Sequence, residues 1–282
     1  MEDRFGYAPV RDGELLYEVA GEGSGVVFVH AGVAHLGMWD EQWPAFTSRF
    51  RCLRYDTRGF GGSRTQAVDF SNRQDLIDVM DFAGIERAAI IGCSRGAQIA
   101  LDTVIDYPDR FTALVAVCGG VSGFDAYTGT DVPDAEMALF DALEKVMDSM
   151  APGDIRRTWE LEAQLWIDGP GQSENRLPAA TRARMMALNW VNLTRQDNEA
   201  KGQPMQPPAA LRLWDVRVPV LAISGRYDTI GSQRSMAYLA QQAPEGRLEE
   251  MDTAHLPSIE QPARFNALVL RFLDEVSATG AG

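Results

Sequence analysis

Arg87-Ala-Ala-Ile-Ile-Gly-Cys-Ser-Arg-Gly-Ala-Gln-Ile-Ala-Leu-Asp102 is the stretch around which the rest of the chain makes sense. Residues 88–91 form an apolar run of strand length, Gly92-Cys93-Ser94-Arg95-Gly96 fits G-x-S-x-G, and Ala97, Ile99, Ala100 and Leu101 read as a buried helix. A serine between two glycines at a strand-to-helix junction is the pattern of a nucleophile elbow, whose sharp turn pushes the hydroxyl up out of the sheet. Small residues at 92 and 96 let neighbouring chain pass close to a strained turn. The helix start also leaves unpaired backbone N–H groups that can hold an oxyanion. Five letters are a weak signal, and an ordinary βα turn is the alternative unless partners for Ser94 exist elsewhere.

Outward from this stretch, apolar strands alternate with helical patterns. Strands are expected at 14–19, 26–29, 51–55, 88–91, 111–118, 218–224 and 247–252, and helices at 39–46, 74–83 and 262–276. Runs of this kind spaced by helices imply βαβ units and a parallel sheet covered on both faces. From Gly119 the rhythm changes. Residues 121–212 carry no convincing strand, and three helical patterns each begin just after a proline, at Pro133, Pro152 and Pro178. Their apolar stripes include Leu139, Phe140, Leu143, Val146, Met147 and Met150, then Trp159, Leu165 and Trp166, then Met185, Met186, Leu188, Trp190 and Val191. This segment reads as a helical lid over 121–212, inserted into a core of 1–120 and 213–282. Most of its stripes pack onto the core, with Trp159, Trp166 and Trp190 as candidate pocket residues. The small residues from 277 to 282 are expected to be a disordered tail.

The chain has 282 residues, 45% of them hydrophobic, as in a soluble globular protein. Lys+Arg 26 against Asp+Glu 40 gives a net charge of −14, which repels nucleic acid and anionic membranes. Neither is an expected partner. The first residues lack a basic segment followed by an apolar one, and no run reaches transmembrane length. Cys52, Cys93 and Cys118 fall in expected core strands, so free thiols in a reducing, cytoplasmic compartment are expected. There is no metal-ligand cluster and no phosphate loop with its lysine, so no metal and no cofactor are expected.

Serine is a poor nucleophile until a base takes its proton, and the base needs an acid to fix its tautomer. Among His30, His35 and His255, only His255 lies in a loop after a late strand and downstream of a strand-end acid, Asp228. The order Ser94, Asp228, His255 is the one this elbow requires. Asp125 and Asp252 are the rival acids, Asp252 the weaker because of its closeness to His255 in sequence.

Together, the His30-Ala-Gly turn, Asp56-Thr-Arg-Gly-Phe-Gly-Gly-Ser63, the elbow, Gly225-Arg-Tyr-Asp228 and His255-Leu-Pro-Ser-Ile-Glu-Gln-Pro262 make the chain resemble the α/β-hydrolase fold superfamily over nearly its whole length. Met38-Trp39-Asp40 and Leu53-Arg-Tyr-Asp-Thr-Arg-Gly59 look most like the branch of 3-oxoadipate enol-lactonases and related carboxylesterases. The resemblance implies a mostly parallel eight-stranded sheet flanked by helices, with the lid inserted before the acid-bearing strand. It implies an oxyanion hole made by the backbone N–H of Arg95 and that of Gly32, with Val33 as fallback. His30 then braces the turn by hydrogen bonds, and His35 is a candidate at the pocket mouth.

The expected activity is hydrolysis of a small-molecule ester or lactone, with a homodimer left open. A C–C bond hydrolase, a perhydrolase and a non-catalytic ligand receptor on the same fold are the alternatives. Arg95 departs from the family pattern, which places an apolar residue or Gln after the nucleophile. A cation beside the oxyanion hole is costly unless paired. Two partners are considered: a substrate carboxylate, or an ion pair to Asp56, Asp102 or a lid Glu.

Overall fold

The computed structural model describes residues 2–149, 154–195 and 202–279. The strands are β1 (Arg4–Val10), β2 (Gly13–Ala20), β3 (Gly25–Val29), β4 (Arg51–Tyr55), β5 (Arg64–Thr65), β6 (Ala88–Cys93), β7 (Phe111–Val117), β8 (Val220–Gly225) and β9 (Gly246–Met251). The α-helices are α1 (Trp43–Thr47), α2 (Asn72–Ala83), α3 (Arg95–Asp106), α4 (Asp134–Ser149), α5 (Asp154–Glu162), α6 (Ala179–Leu193), α7 (Ile230–Gln242), α8 (Pro257–Glu260) and α9 (Pro262–Thr279). The sheet runs β1-β2-β4-β3-β6-β7-β8-β9, with the two-residue β5 beside β2. Pairing is antiparallel at β1–β2 and β2–β4 and parallel from β4 through β9.

Strand alternation divides the core in two. Val27, Val29, Ile90, Leu114 and Val220 join one cluster with Leu76, Ile99 and Met236 from α2, α3 and α7. Val26, Phe28, Ile91, Val115 and Leu221 join the other, with Phe46 and Phe265 from α1 and α9 and Met185 and Leu188 from α6. Each fully buried Val, Leu or Ile contributes about 1.5–3 kcal/mol, which is why strands buried on both faces read as unbroken apolar runs.

The β6–α3 crossing is where the glycines matter. A Cβ on Gly92 would lie 2.2 Å from the carbonyl oxygen of Gly96, and one on Gly96 would lie 2.3 Å from that of Val29. Backbone has nowhere to move here. Gly92→Ala is therefore expected to destabilise the fold by about 1–3 kcal/mol or more. A melting temperature equal to that of the parent protein, measured side by side, would show that the crossing is looser than described.

Several expectations need correction. The sheet has a ninth, two-residue strand, and β1 is not anticipated because Gly6 and Pro9, residues disfavoured in strands, interrupt it. The expected helix at 39–46 is a 3-10 turn at Leu36–Trp39 followed by α1, with Pro44 in the first turn of α1. Helix α7 was missed because Gly, Ser and Gln dilute its apolar face. Strand β7 ends at Val117, and Cys118 lies beyond it at φ +47. Residues 277–279 close α9 rather than starting a tail. Met150, Pro152 and residues 280–282 lie outside the described residues, as does the side chain of Met147.

Candidate active site

The elbow places Ser94 between β6 and α3 at φ +55, ψ −121, a conformation that costs a non-glycine residue of the order of 1–3 kcal/mol. Backbone bonds hold it there: Ser94 N–H donates to Val117 O at 2.8 Å, and its own carbonyl accepts from Ala97 N–H at 2.9 Å and Gln98 N–H at 3.2 Å in the first turn of α3. Arg95 N–H, at the first position of α3, has no intrahelical acceptor.

Asp228 follows β8 and His255 follows β9, so parallel pairing delivers both to the same sheet edge as Ser94. His255 Nε2 lies 2.7 Å from Ser94 Oγ, and Nδ1 lies 2.9 and 2.8 Å from the two Asp228 carboxylate oxygens. With Nδ1–H donating to the carboxylate, Nε2 is left to accept the serine proton. Asp228 and His255 are buried, and Thr229 N–H donates to Asp228 Oδ1 at 2.8 Å.

The rival acids stand apart. Asp125 is exposed and caps its own turn through Tyr127 N–H and the N–H and hydroxyl of Thr128. Asp252 pairs at the surface with Arg226 at 2.6 Å.

Trp166, expected only as a pocket residue, and two glutamates that the sequence did not single out, Glu136 and Glu260, hold the segments carrying Asp228 and His255. The Trp166 ring lies 4.5 Å from the imidazole of His255, and its carbonyl accepts His255 N–H at 3.3 Å. This tryptophan sits in a π-helical stretch, Ala163–Asp168, a distortion common at functional sites. Glu260 accepts Ala254 N–H at 2.8 Å and Arg176 at 2.6 Å. Glu136 accepts Ile230 N–H at 2.9 Å and the Tyr127 hydroxyl at 3.1 Å. Burial holds the carboxyls of Glu260 and Glu136 above the usual range. A pairing signal was available only for Glu260, inside the His255–Pro262 segment.

A cavity of about 280 Å³ opens on Ser94 and His255, lined also by Arg95, Gln98, Tyr127 and Trp166. Of the three tryptophans expected to line a pocket, only Trp166 lines this one. Trp159 and Trp190 pack edge to face at 5.1 Å and line a separate cavity. His35 caps the 3-10 turn by accepting Gly37 N–H, and it is not among the residues lining the Ser94 cavity.

In the turn after β3, Ala34 N–H bonds Ala31 O at 3.1 Å, which leaves Gly32 and Val33 at its centre and Gly32 beside the Arg95 side chain. His30 fastens this turn: Nδ1–H donates to Ala31 O at 2.7 Å, while Nε2 accepts Thr57 N–H at 3.0 Å and faces Thr57 Oγ1 at 3.1 Å. Burial, chiefly, pulls its pKa down to about 3, so it stays neutral.

Among the described residues Arg95 does not make the ion pair considered from the sequence. Asp56 is taken by the N–H groups of Leu36 and Gly62, and Asp102 by the Ser122 hydroxyl. The guanidinium donates instead to two neutral oxygens, Thr57 Oγ1 at 2.8 Å and Asn72 Oδ1 at 3.0 Å, and lies over the Phe60 ring at 4.5 Å.

Cys118 Sγ, an Asp228 oxygen and a His255 ring nitrogen lie within 4.8 Å of one another, the one such group among the described residues that could hold a metal. Burial first, and the Asp228 charge next, push this thiol well above its usual range, so it is a poor ligand. Cys93 is likewise raised by burial and packs as a core thiol against His255 O at 3.5 Å. No helix among the described residues is long and apolar enough to cross a membrane.

The profile of the alpha/beta hydrolase fold family matches residues 26–262. The chain is 24% identical over 252 residues to 3-oxoadipate enol-lactonase 2 of Acinetobacter baylyi, covering 86% of each chain. It is 27% identical over 265 residues to the pimeloyl-[acyl-carrier protein] methyl ester esterase of Nitrosomonas europaea, covering 88% of this chain and 95% of that one. Among solved structures, a thermophilic esterase from Thermogutta terrifontis superposes with a TM-score of 0.76 at 22% identity, covering 98% and 99% of the two chains.

Proposed function

The chain belongs to the alpha/beta hydrolase fold family, and from that premise we propose that it is a serine hydrolase cleaving a carboxylic ester or lactone through an acyl-enzyme. The observation that carries this reading is the hydrogen-bonded line Ser94–His255–Asp228 at the floor of a cavity. His255 Nε2 takes the proton of Ser94 as Oγ attacks the carbonyl, and Asp228 stabilises the imidazolium. The oxyanion is held by Arg95 N–H and by Gly32 N–H, or Val33 N–H if the turn rotates. His255 then gives its proton to the leaving alkoxide. Water, deprotonated by the same nitrogen, releases the acid and restores Ser94. Atoms balance with substrate and water alone. Ester- and lactone-cleaving relatives support this substrate class, while relatives of the C–C hydrolase type match over a similar share of the chain, so the substrate panel below is what separates the two.

In this reading residues 121–212 are a lid on a core of 1–120 and 213–282. Tyr127 and Trp166 are its contribution to the cavity wall. The buried thiols suit a reducing, cytoplasmic setting.

The test is a fluorophosphonate probe, followed by a panel of p-nitrophenyl esters of graded chain length and simple lactones. Ser94 is expected to be the labelled residue, and at least one ester or lactone to turn over. A folded protein that neither takes the label nor hydrolyses any member of the panel overturns the proposal in favour of a binding role.

A further inference from the structure

Among the described residues Arg95 has no carboxylate within ion-pair distance, the carboxylate charge acting on it being that of Asp75. A guanidinium offers five N–H donors, and Thr57 and Asn72 take two of them. Among the described residues each acid nearby has partners of its own. Asp75 is held by two bonds from Arg58 at 2.9 and 3.0 Å, Asp56 by backbone N–H groups, and Asp106 by Arg73 and Arg212 at 2.8 Å each. Asp102 accepts from the Ser122 hydroxyl at 3.2 Å, and its pKa is raised to about 6, chiefly by burial. Burial also pulls Arg95 down to about 10, so it remains charged at neutral pH. A half-buried cation held by neutral oxygens and the Phe60 ring, with Asp75 already paired to Arg58, gains when an anion arrives.

The anion has a place to sit. Beside the Ser94 cavity lies a second one of about 250 Å³, lined by Asn72, Arg73, Arg95, Gln98, Asp102 and Gln203. Arg95 and Gln98 line both. The Arg95 side chain is therefore common to the wall around Ser94 and to the wall of the second cavity.

We infer that the substrate carries a carboxylate, bound by Arg95 in this second cavity while Ser94 attacks an ester or lactone carbonyl. The inference rests on the proposed hydrolase reading and names its substrate class. Arg95 then has two parts: its backbone N–H faces the reacting centre and its side chain selects the substrate. Asn72 orients the guanidinium, and Arg73, engaged by Asp106, adds positive potential.

The test compares kcat/KM for matched anionic and neutral esters in two arms. Monomethyl adipate against methyl hexanoate places the carboxylate on the acyl side; 4-acetoxybutanoate against butyl acetate places it on the alcohol side. The protein is expected to prefer the anion by about tenfold or more in one arm, which also tells the side, because charge-assisted bonds are the strong ones. Arg95→Gln removes the charge and is expected to abolish the preference. Because Arg95 also ties to the Thr57–His30 bracing, that variant can lower all rates, so the ratio is the quantity read. Asn72→Asp leaves Arg95 in place but gives it a carboxylate partner, at a helix start where an acid is tolerated, and is expected to abolish the preference too. Equal kcat/KM in both arms, or a preference that survives either variant, overturns the inference while Ser94 labelling and neutral-ester turnover keep the hydrolase reading. Absence of labelling and of all turnover removes both.

Discussion

Ser94→Ala is expected to lower ester or lactone turnover by about 10⁵-fold or more, with the fold intact. In the proposed mechanism the hydroxyl is the atom that forms the acyl-enzyme, and among the described residues lining the cavity no other hydroxyl contacts His255. The proposed oxyanion donors and the cavity survive the change, so a residual rate above that of water is expected. Alanine keeps the same backbone burden at φ +55, since both residues carry a Cβ there. The bonds holding the turn are backbone bonds to Val117, Ala97 and Gln98, which the substitution leaves alone. Circular dichroism and melting temperature should therefore match the parent protein, and fluorophosphonate labelling should vanish. A variant that still turns over substrate within tenfold of the parent would sink the acyl-enzyme mechanism.

The parts of this site that could be read from the sequence are those that sit at strand ends. Ser94, Asp228 and His255 each follow a short apolar run, and a parallel sheet brings the carboxyl ends of its strands to one edge whatever their separation along the chain. The parts that could not be read depend on which side chains meet across elements. Trp166 looked like one of three equivalent tryptophans, yet the π-helical turn alone carries its ring onto His255 while Trp159 and Trp190 pack on each other. The environment of Arg95 was misjudged for the same reason. Asp56 and Asp102 were near in the expected fold, but backbone N–H groups and Ser122 had already taken them. In the fold, β1 and α7 were lost because neither has the clean period-2 or period-3.6 apolar pattern that marks an element.

Asp228→Asn is expected to cost about 10⁴-fold in kcat although it barely changes shape. The reason lies in the directions of the hydrogen bonds. Thr229 N–H points at Oδ1 from 2.8 Å, so an asparagine must keep its oxygen there; its NH₂ would otherwise face another donor. The amide NH₂ then occupies the Oδ2 position, 2.8 Å from His255 Nδ1, and that nitrogen must become an acceptor. The ring proton moves to Nε2, which now donates toward Ser94 Oγ and cannot take its proton. Asp228 is buried, so water cannot supply the missing acceptor. Labelling by a fluorophosphonate should slow in step with turnover, since both need the activated serine. The two rival acids provide the control: Asp125→Asn and Asp252→Asn change exposed groups engaged in a local turn and a surface ion pair, and both variants are expected to keep parental kcat. If Asp228→Asn stays within tenfold of the parent while either control collapses, the acid has been assigned to the wrong residue.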